Sequence, residues 1–158
     1  MPSCDNQRYI EDLIMGENGE IDAHPHLNAR FGELKRTTYT YARIDYTNDK
    51  YIIELKTRSC NHNAFDRDGG LMFNYSKIKD YQKKEDKRKL IFAFNCLDGL
   101  YFWEYKEENY TTGIGGRKDR GCEEIRKVAK VKSKDMECLY KKPNPFDTYC
   151  FISSDEED

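Results

Sequence analysis

The segment 89–97, KLIFAFNCL, constrains this chain more than any other. It is apolar at every position except Lys89 and Asn95. An apolar run of strand length without alternation belongs to a β-strand buried on both faces, so something must cover each side of the sheet that contains it. Asp98 and Gly99 follow, a strong tight-turn pair, and return the chain into LYFWEYKE as an antiparallel neighbour.

The elements around that strand follow from period and punctuation. Residues 6–15 carry Tyr9, Ile10, Leu13 and Ile14 at helical spacing, and Gly16 closes the pattern before the polar turn GENGE. A second helix is expected over 20–35, with Ile21, Leu27, Phe31 and Leu34 apolar and Pro25 near its start or at a kink. Residues 38–47 and 50–58 read as strands joined by a tight turn, and 59–70 as a loop rich in Asn, Asp and Gly. Residues 74–88 form a basic helix with Tyr75, Ile78 and Tyr81 along one side. NYTTGIGGRKDRG is expected as a glycine-rich basic loop; it lacks the Lys-Ser/Thr ending of a P-loop. EEIRKVAKVKS is a further strand or short helix, KKPNPF is irregular, and the acidic residues 151–158 form a disordered tail. Helix, strands, helix and more strands give an α/β or α+β layered arrangement in one domain over 1–150.

At 158 residues the chain has the size of one domain with one core. No apolar run approaches the roughly 18 residues of a membrane span, and MPSCDNQRYIEDL has neither the basic start nor the apolar stretch of a secretory signal, so a soluble protein is expected. The six cysteines form no CxxC pair and read as free thiols in a reducing compartment. CNH at 60–62, with His24 and His26, lacks the two clear ligand pairs of a structural zinc site, and DRDGG lacks the later ligands and closing Glu of a calcium loop. A net charge of −2 argues against a histone-like binder, but the charge is unevenly spread. Seven Lys/Arg stand against three acids over 77–89, and eight against three over 117–134. The first 22 residues and the tail are acidic. This distribution suggests a side that faces a polyanion.

The chemistry concentrates in ARIDYTNDKYIIELKTR, residues 42–58. Strand alternation puts Glu54 and Lys56 on one face and Ile53 and Leu55 on the other. With the turn near 48 and 49, Asp45 falls near Tyr51 or Ile53, and a slight bulge or stagger brings its carboxylate to that of Glu54. Two acids and a lysine beside a core require compensation, which a divalent cation provides. Lys56 then lies where it can orient water or steady developing negative charge. The bland alternative is a surface hairpin with a cross-strand salt bridge, worth about 0–1 kcal/mol.

Asp45, an eight-residue gap, and Glu54, Leu55 and Lys56 on an apolar second strand resemble the PD-(D/E)XK nuclease superfamily. YIIELKTR, the YSKIKDYQ helix and the buried strand with its Asp-Gly turn look like small nuclease-like proteins of large DNA viruses, over roughly residues 20–106. The family's Pro is Ile44 here. The resemblance implies a restriction-endonuclease-like core of helix, three strands, helix and strand, with a central mixed sheet flanked by helices. It implies a Mg²⁺- or Mn²⁺-dependent nuclease acting on DNA inside the cell, in host cytoplasm or nucleus if viral, without membrane attachment. A homodimer is admissible, since many relatives pair to cut both strands. Asp45, Glu54 and Lys56 are then catalytic. Asp45, Glu54, the backbone carbonyl of Leu55 and Glu20 would hold metal, with Glu11 and Glu33 as alternatives to Glu20. Arg58, Tyr75, Lys77, Lys83, Lys84, Arg88, Arg117, Lys118 and Arg120 are candidates for nucleic-acid contacts, which position the backbone without reading sequence. Trp103 reads as core. The competing function is a catalytically silent module of the same fold that binds nucleic acid or protein in viral DNA processing.

Overall fold

A computed structural model of the chain describes residues 6–37, 45–117 and 124–143. The expected strand over 38–47 therefore lies outside the described residues up to 44, as do Ile44, Lys118, Arg120, KKPNPF from residue 144 onward and the acidic tail.

The described chain is α/β, with a mixed six-stranded sheet and a separate three-stranded one. In chain order it runs α1 (Asn6–Phe31), β1 (Lys35–Arg36), β2 (Tyr46–Thr47), β3 (Tyr51–Thr57), β4 (Leu71–Asn74), α2 (Ser76–Lys83), β5 (Lys89–Cys96), β6 (Gly99–Glu104), β7 (Thr111–Arg117), β8 (Glu124–Val131) and β9 (Glu137–Lys141). The larger sheet has the order β1-β2-β3-β5-β6-β9 and the smaller β4-β8-β7. β3 and β5 are parallel, with α2 in the crossover between them; the other paired strands are antiparallel.

β5 is buried at every position after Lys89. Ile91 and Ala93 face α1, packing with Leu27, Phe31, Ile53 and Leu55. Leu90, Phe92, Phe94 and Cys96 face the other way, onto Leu71 and Phe73 of β4, Ala129 and Val131 of β8, Ile78 of α2 and Trp103. Helices were expected on both faces; here α1 covers one face, and a sheet together with α2 covers the other. Trp103 is core, 2% exposed.

Other expectations are corrected. The two predicted amino-terminal helices are one 26-residue helix that runs through Gly16 and Gly19 and contains Pro25. Interior glycines cost about 1 kcal/mol each relative to alanine, which did not suffice to break it. Its carboxyl-terminal half is anchored by Ala23, Leu27 and Phe31, whereas Ile10, Ile14 and Ile21 are exposed. The basic helix stops at Lys83 rather than 88, because Glu85 adopts φ 50° and Asp86 folds back to accept the Arg88 N–H at 2.9 Å. The glycine-rich loop is largely strand β7, and EEIRKVAKVKS contributes strand β8. β9, mostly exposed, gave no readable pattern.

Glycine lets the smaller sheet close. A Cβ on Gly115 would sit 2.9 Å from Met72 Sδ, so the bare backbone of β7 makes room for a side chain from β4. Gly70 at φ +106° brings the loop before β4 against β8, where a Cβ would meet the Val131 carbonyl oxygen at 1.9 Å. Gly70→Ala should therefore destabilise the fold by more than about 1 kcal/mol in urea unfolding. Gly113→Ala, whose Cβ would meet Lys130 Cε at an ordinary 3.4 Å, should be neutral or mildly stabilising. Equal behaviour of the two variants would show that Gly70 is not the constraint described.

Candidate active site

The site begins with a turn. Asn48 Oδ1 accepts the backbone N–H groups of Lys50 and Tyr51 at 2.9 and 2.8 Å, and its Nδ2 donates to the Phe31 carbonyl at the end of α1. This fixes the register of β2 on β3 as Tyr46 opposite Ile53 and Thr47 opposite Ile52. Asp45 lies just before β2, and its N–H donates to the carbonyl of Ile53, the residue that Tyr46 already faces, so the strand is offset here as the sequence suggested.

Asp45 is held at three points. Its carbonyl accepts the Thr37 N–H at 2.8 Å, its N–H donates to the Ile53 carbonyl at 3.2 Å, and its Oδ2 accepts the Leu55 N–H at 2.7 Å. Since the N–H and C=O of one strand residue point to the same edge, the Leu55 carbonyl lies on the Asp45 side of β3.

Glu54 is only 4% exposed, although its neighbours on β3 would have sufficed for a core. Alternation turns it away from Ile53 and Leu55, toward the layer built by β4 and α2. Its Oε1 takes Lys56 Nζ at 2.9 Å and Lys77 Nζ at 3.4 Å. Its Oε2 is buried and has no hydrogen-bond partner among the described residues. An orphaned buried acceptor costs about 1–3 kcal/mol, more when charged.

Burial and then the Glu54 charge push the Asp45 carboxyl up from 3.8 to about 7, with Glu20 adding to the rise, while the Leu55 N–H and Lys56 act in the opposite direction. Glu20 thus stands near Asp45. Its Oε2 accepts from Arg36 Nη2 at 2.6 Å and Nε at 3.1 Å, and its carbonyl accepts the Tyr46 hydroxyl at 2.8 Å. Glu11 is exposed and bonded to Gln7, and Glu33 is exposed. Of the three glutamates considered, Glu20 is the one whose charge acts on Asp45.

The other candidate residues are spread more widely. Lys77, expected to contact nucleic acid, is brought onto Glu54 instead. Arg58 donates to the carbonyls of Thr57 and Met72, at 3.1 and 2.8 Å. Tyr75 packs beneath Lys127, whose Nζ lies 4.2 Å from its ring centroid. Arg88 is clasped by Asp86 at 2.7 Å, so its charge is locally compensated. Lys83 and Lys84 are exposed, and the side chain of Arg117 lies outside the described residues. His62 of the CNH fragment directs Nδ1 to Asp98 Oδ2 at 2.5 Å and stacks on Tyr101. Sequence reasoning missed Arg36 and Asn48, whose partners lie on α1, and missed the Lys77–Glu54 contact, which joins α2 to β3.

Among the described residues no three His, Cys, Asp or Glu side chains gather to cage a metal ion. The donor set still suits a hard cation that keeps most of its shell as water and phosphate oxygen, which needs only one or two carboxylates. Asp45, the unpartnered Glu54 Oε2 and the Leu55 carbonyl would hold it.

The raised Asp45 value has a stability consequence. The folded state binds this proton more tightly than the unfolded chain, so the group favours the fold fully below about pH 4, and that contribution is lost as pH rises toward about 7. A cation at the site should offset the loss. Millimolar Mg²⁺ should therefore raise the melting temperature more at about pH 8 than at about pH 6, and Asp45→Asn should remove the difference; a shift independent of pH or unchanged in the variant would contradict the assignment. In comparisons with known proteins, no family model, curated protein or solved structure matches this chain.

Proposed function

We propose that this chain is a metal-dependent DNA nuclease of PD-(D/E)XK type, hydrolysing phosphodiester bonds at Asp45, Glu54 and Lys56. The observation that carries the reading is Glu54: a buried carboxylate with one oxygen held by Lys56 and Lys77 and the other without a partner among the described residues, near an Asp whose carboxyl is raised to about 7. The resemblance of the Asp and Glu-x-Lys spacing, and the order of α1, β1, β2, β3, α2 and β5 with β4 set into a second sheet, support a restriction-endonuclease-like core.

When bound, Mg²⁺ or Mn²⁺ supplies Lewis-acid polarisation of a phosphodiester oxygen. Asp45 and Glu54 position it, with the Leu55 carbonyl beside them and Glu20 close by. Lys77 and Lys56 hold Glu54 Oε1, which leaves Oε2 as the ligand. The Lys56 ammonium, a quarter exposed, orients the attacking water and stabilises the negative charge that develops on the phosphate. Two copies acting together would cut both strands. Among the described residues no helix is long and apolar enough to cross a membrane.

Asp45 must lose its proton to serve as a ligand, so cleavage should rise with pH through about 7. Incubated with supercoiled plasmid and Mg²⁺, the protein should nick or linearise DNA, and EDTA should stop it. Asp45→Asn should abolish cleavage with the fold retained by circular dichroism, and Lys56→Ala should slow turnover about 10²–10⁴-fold. Salt-sensitive DNA binding without cleavage in any divalent metal would favour the silent binding module instead.

A further inference from the structure

The basic stretch 117–134 plays no part in the candidate active site, and its described half gathers at one place. Lys130 at the end of β8, with Lys132 and Lys134 in the turn that follows, lines a cleft of about 220 Å³. Tyr110 and Thr111, at the start of β7, form another part of its wall, with Gly69 close to Thr111 and Lys130.

The cleft is built rather than incidental. The turn Ser133–Asp135, which carries Lys134 and is preceded by Lys132, is pinned by Asp66, whose carboxylate accepts the Ser133 N–H at 2.9 Å and the Ser133 hydroxyl at 2.5 Å. Those bonds hold the Asp66 carboxyl below its ordinary range. The turn closes on itself through Asp135 N–H to the Lys132 carbonyl at 3.0 Å. Lys130 is fixed from the other side, donating from Nζ to the Asp68 carbonyl at 3.0 Å. Gly69, φ +101°, approaches so closely that a Cβ would lie 3.0 Å from Lys130 Cδ. Three ammonium-bearing stems are thus set around a single concavity by contacts from the 66–70 loop.

Glu108 and Asp135 line the same cleft, yet among the described residues neither Lys132 nor Lys134 forms an ion pair with them. The Lys132 charge also acts on the Asp66 carboxylate, yet among the described residues no carboxylate closes onto Lys132 or Lys134 as an ion pair, and hydroxyl groups stand on the wall of the cleft. A connection to the candidate active site runs through Arg58. It follows Lys56 by two residues on the same strand path, and its guanidinium reaches the Met72 carbonyl of β4. Met72 is the cross-strand partner of Lys130. Arg58 thus ties the end of β3 to the strand pair that carries Lys130.

We infer that this cleft is a second binding site for the phosphodiester backbone of nucleic acid, held by Lys132 and Lys134 with Lys130 at its base, and separate from the site at which the bond is cut. The nuclease proposal identifies the polyanion; the site itself stands on the cleft. Binding of this kind is independent of sequence and releases condensed counterions, so it appears in the salt dependence of affinity.

The test uses the full chain, a fluorescently labelled DNA duplex and EDTA to suppress turnover, with anisotropy followed over a NaCl series. Relative to the unsubstituted protein, Lys132→Ala/Lys134→Ala should weaken binding at least about tenfold at low salt, and should reduce the slope of log K against log [NaCl] by about 1.8, or about 0.9 for each phosphate no longer neutralised. Glu108→Gln/Asp135→Asn should tighten binding. Lys50→Ala/Lys141→Ala makes the same change in net charge away from the cleft and should leave the slope nearly unchanged. An unaltered slope in the Lys132/Lys134 variant, or an equal fall in the Lys50/Lys141 control, overturns the inference. Lys132 and Lys134 are both exposed, and melting curves check that the fold is intact in the variant. Plasmid cleavage in Mg²⁺ separates the two proposals: a protein that shows the slope change but never cuts retains the cleft and loses the nuclease, and one that cuts with an unaltered slope does the reverse.

Discussion

A carboxylate enclosed between two layers sets the terms for the rest of this molecule. Glu54 lies on the central parallel pair of strands, and the layer that covers it must bring its own compensation. Burying an ionised carboxylate without a partner is prohibitive, and two ammonium groups on one oxygen remove much of that cost. Lys56 comes from the same strand and needs only alternation. Lys77 comes from α2, so the crossover helix that makes β3 and β5 parallel also delivers the second counter-charge. Positioning the helix and neutralising the acid are therefore one structural event. An error in the placement of α2 would leave Glu54 under-compensated in a low-dielectric setting.

The Asp45 proton couples this arrangement to conditions outside the protein. Three backbone contacts hold the residue in place, so it cannot swing away from Glu54 to relieve repulsion. The remaining responses are to keep a proton or to share a cation. If the proposed cation binds here, it competes with the proton near neutral pH, because burial and the neighbouring charge raise the carboxyl to about 7. Such a site is a poor device for stabilising a fold and a reasonable one for binding a divalent ion, since the instability of the proton-free site is what the ion removes.

Legibility in the sequence followed the range of the interaction. The face shared by Glu54 and Lys56, the double burial of β5 and the turn at Asp98 and Gly99 are encoded within a few residues of themselves, and each was readable. Asp45 was readable as a partner, and its register only as Tyr51 or Ile53; the choice of Ile53 is set by Asn48 bonding back to the end of α1. β7 was mistaken for a loop because its glycines answer to side chains elsewhere: Gly115 is bare to admit Met72, which is 43 positions earlier in the chain. The helix break expected at Gly16 failed because glycine propensity is a local penalty, set against the anchoring of the same helix by Ala23, Leu27 and Phe31. Lys77 was visible as a basic residue, but its partner was not.

The smaller sheet then has two separable consequences. Its inner face, Leu71, Phe73, Ala129 and Val131, seals the side of β3 that carries Glu54 and so creates the dry setting in which a carboxylate pair becomes chemically useful. Its far end, where the Gly69 and Gly70 loop meets β8, mounts lysines around a concavity with no core to protect. The same β4–β8 ladder transmits both, since Leu71 pairs with Val131 on the inner side and Met72 with Lys130 on the outer. Alternation along two short strands thus divides one element into a cover for Glu54 and a mount for the lysines of the proposed polyanion site. It follows that substitutions on the outer face can alter charge without disturbing Glu54, whereas those on the inner face cannot alter packing without doing so.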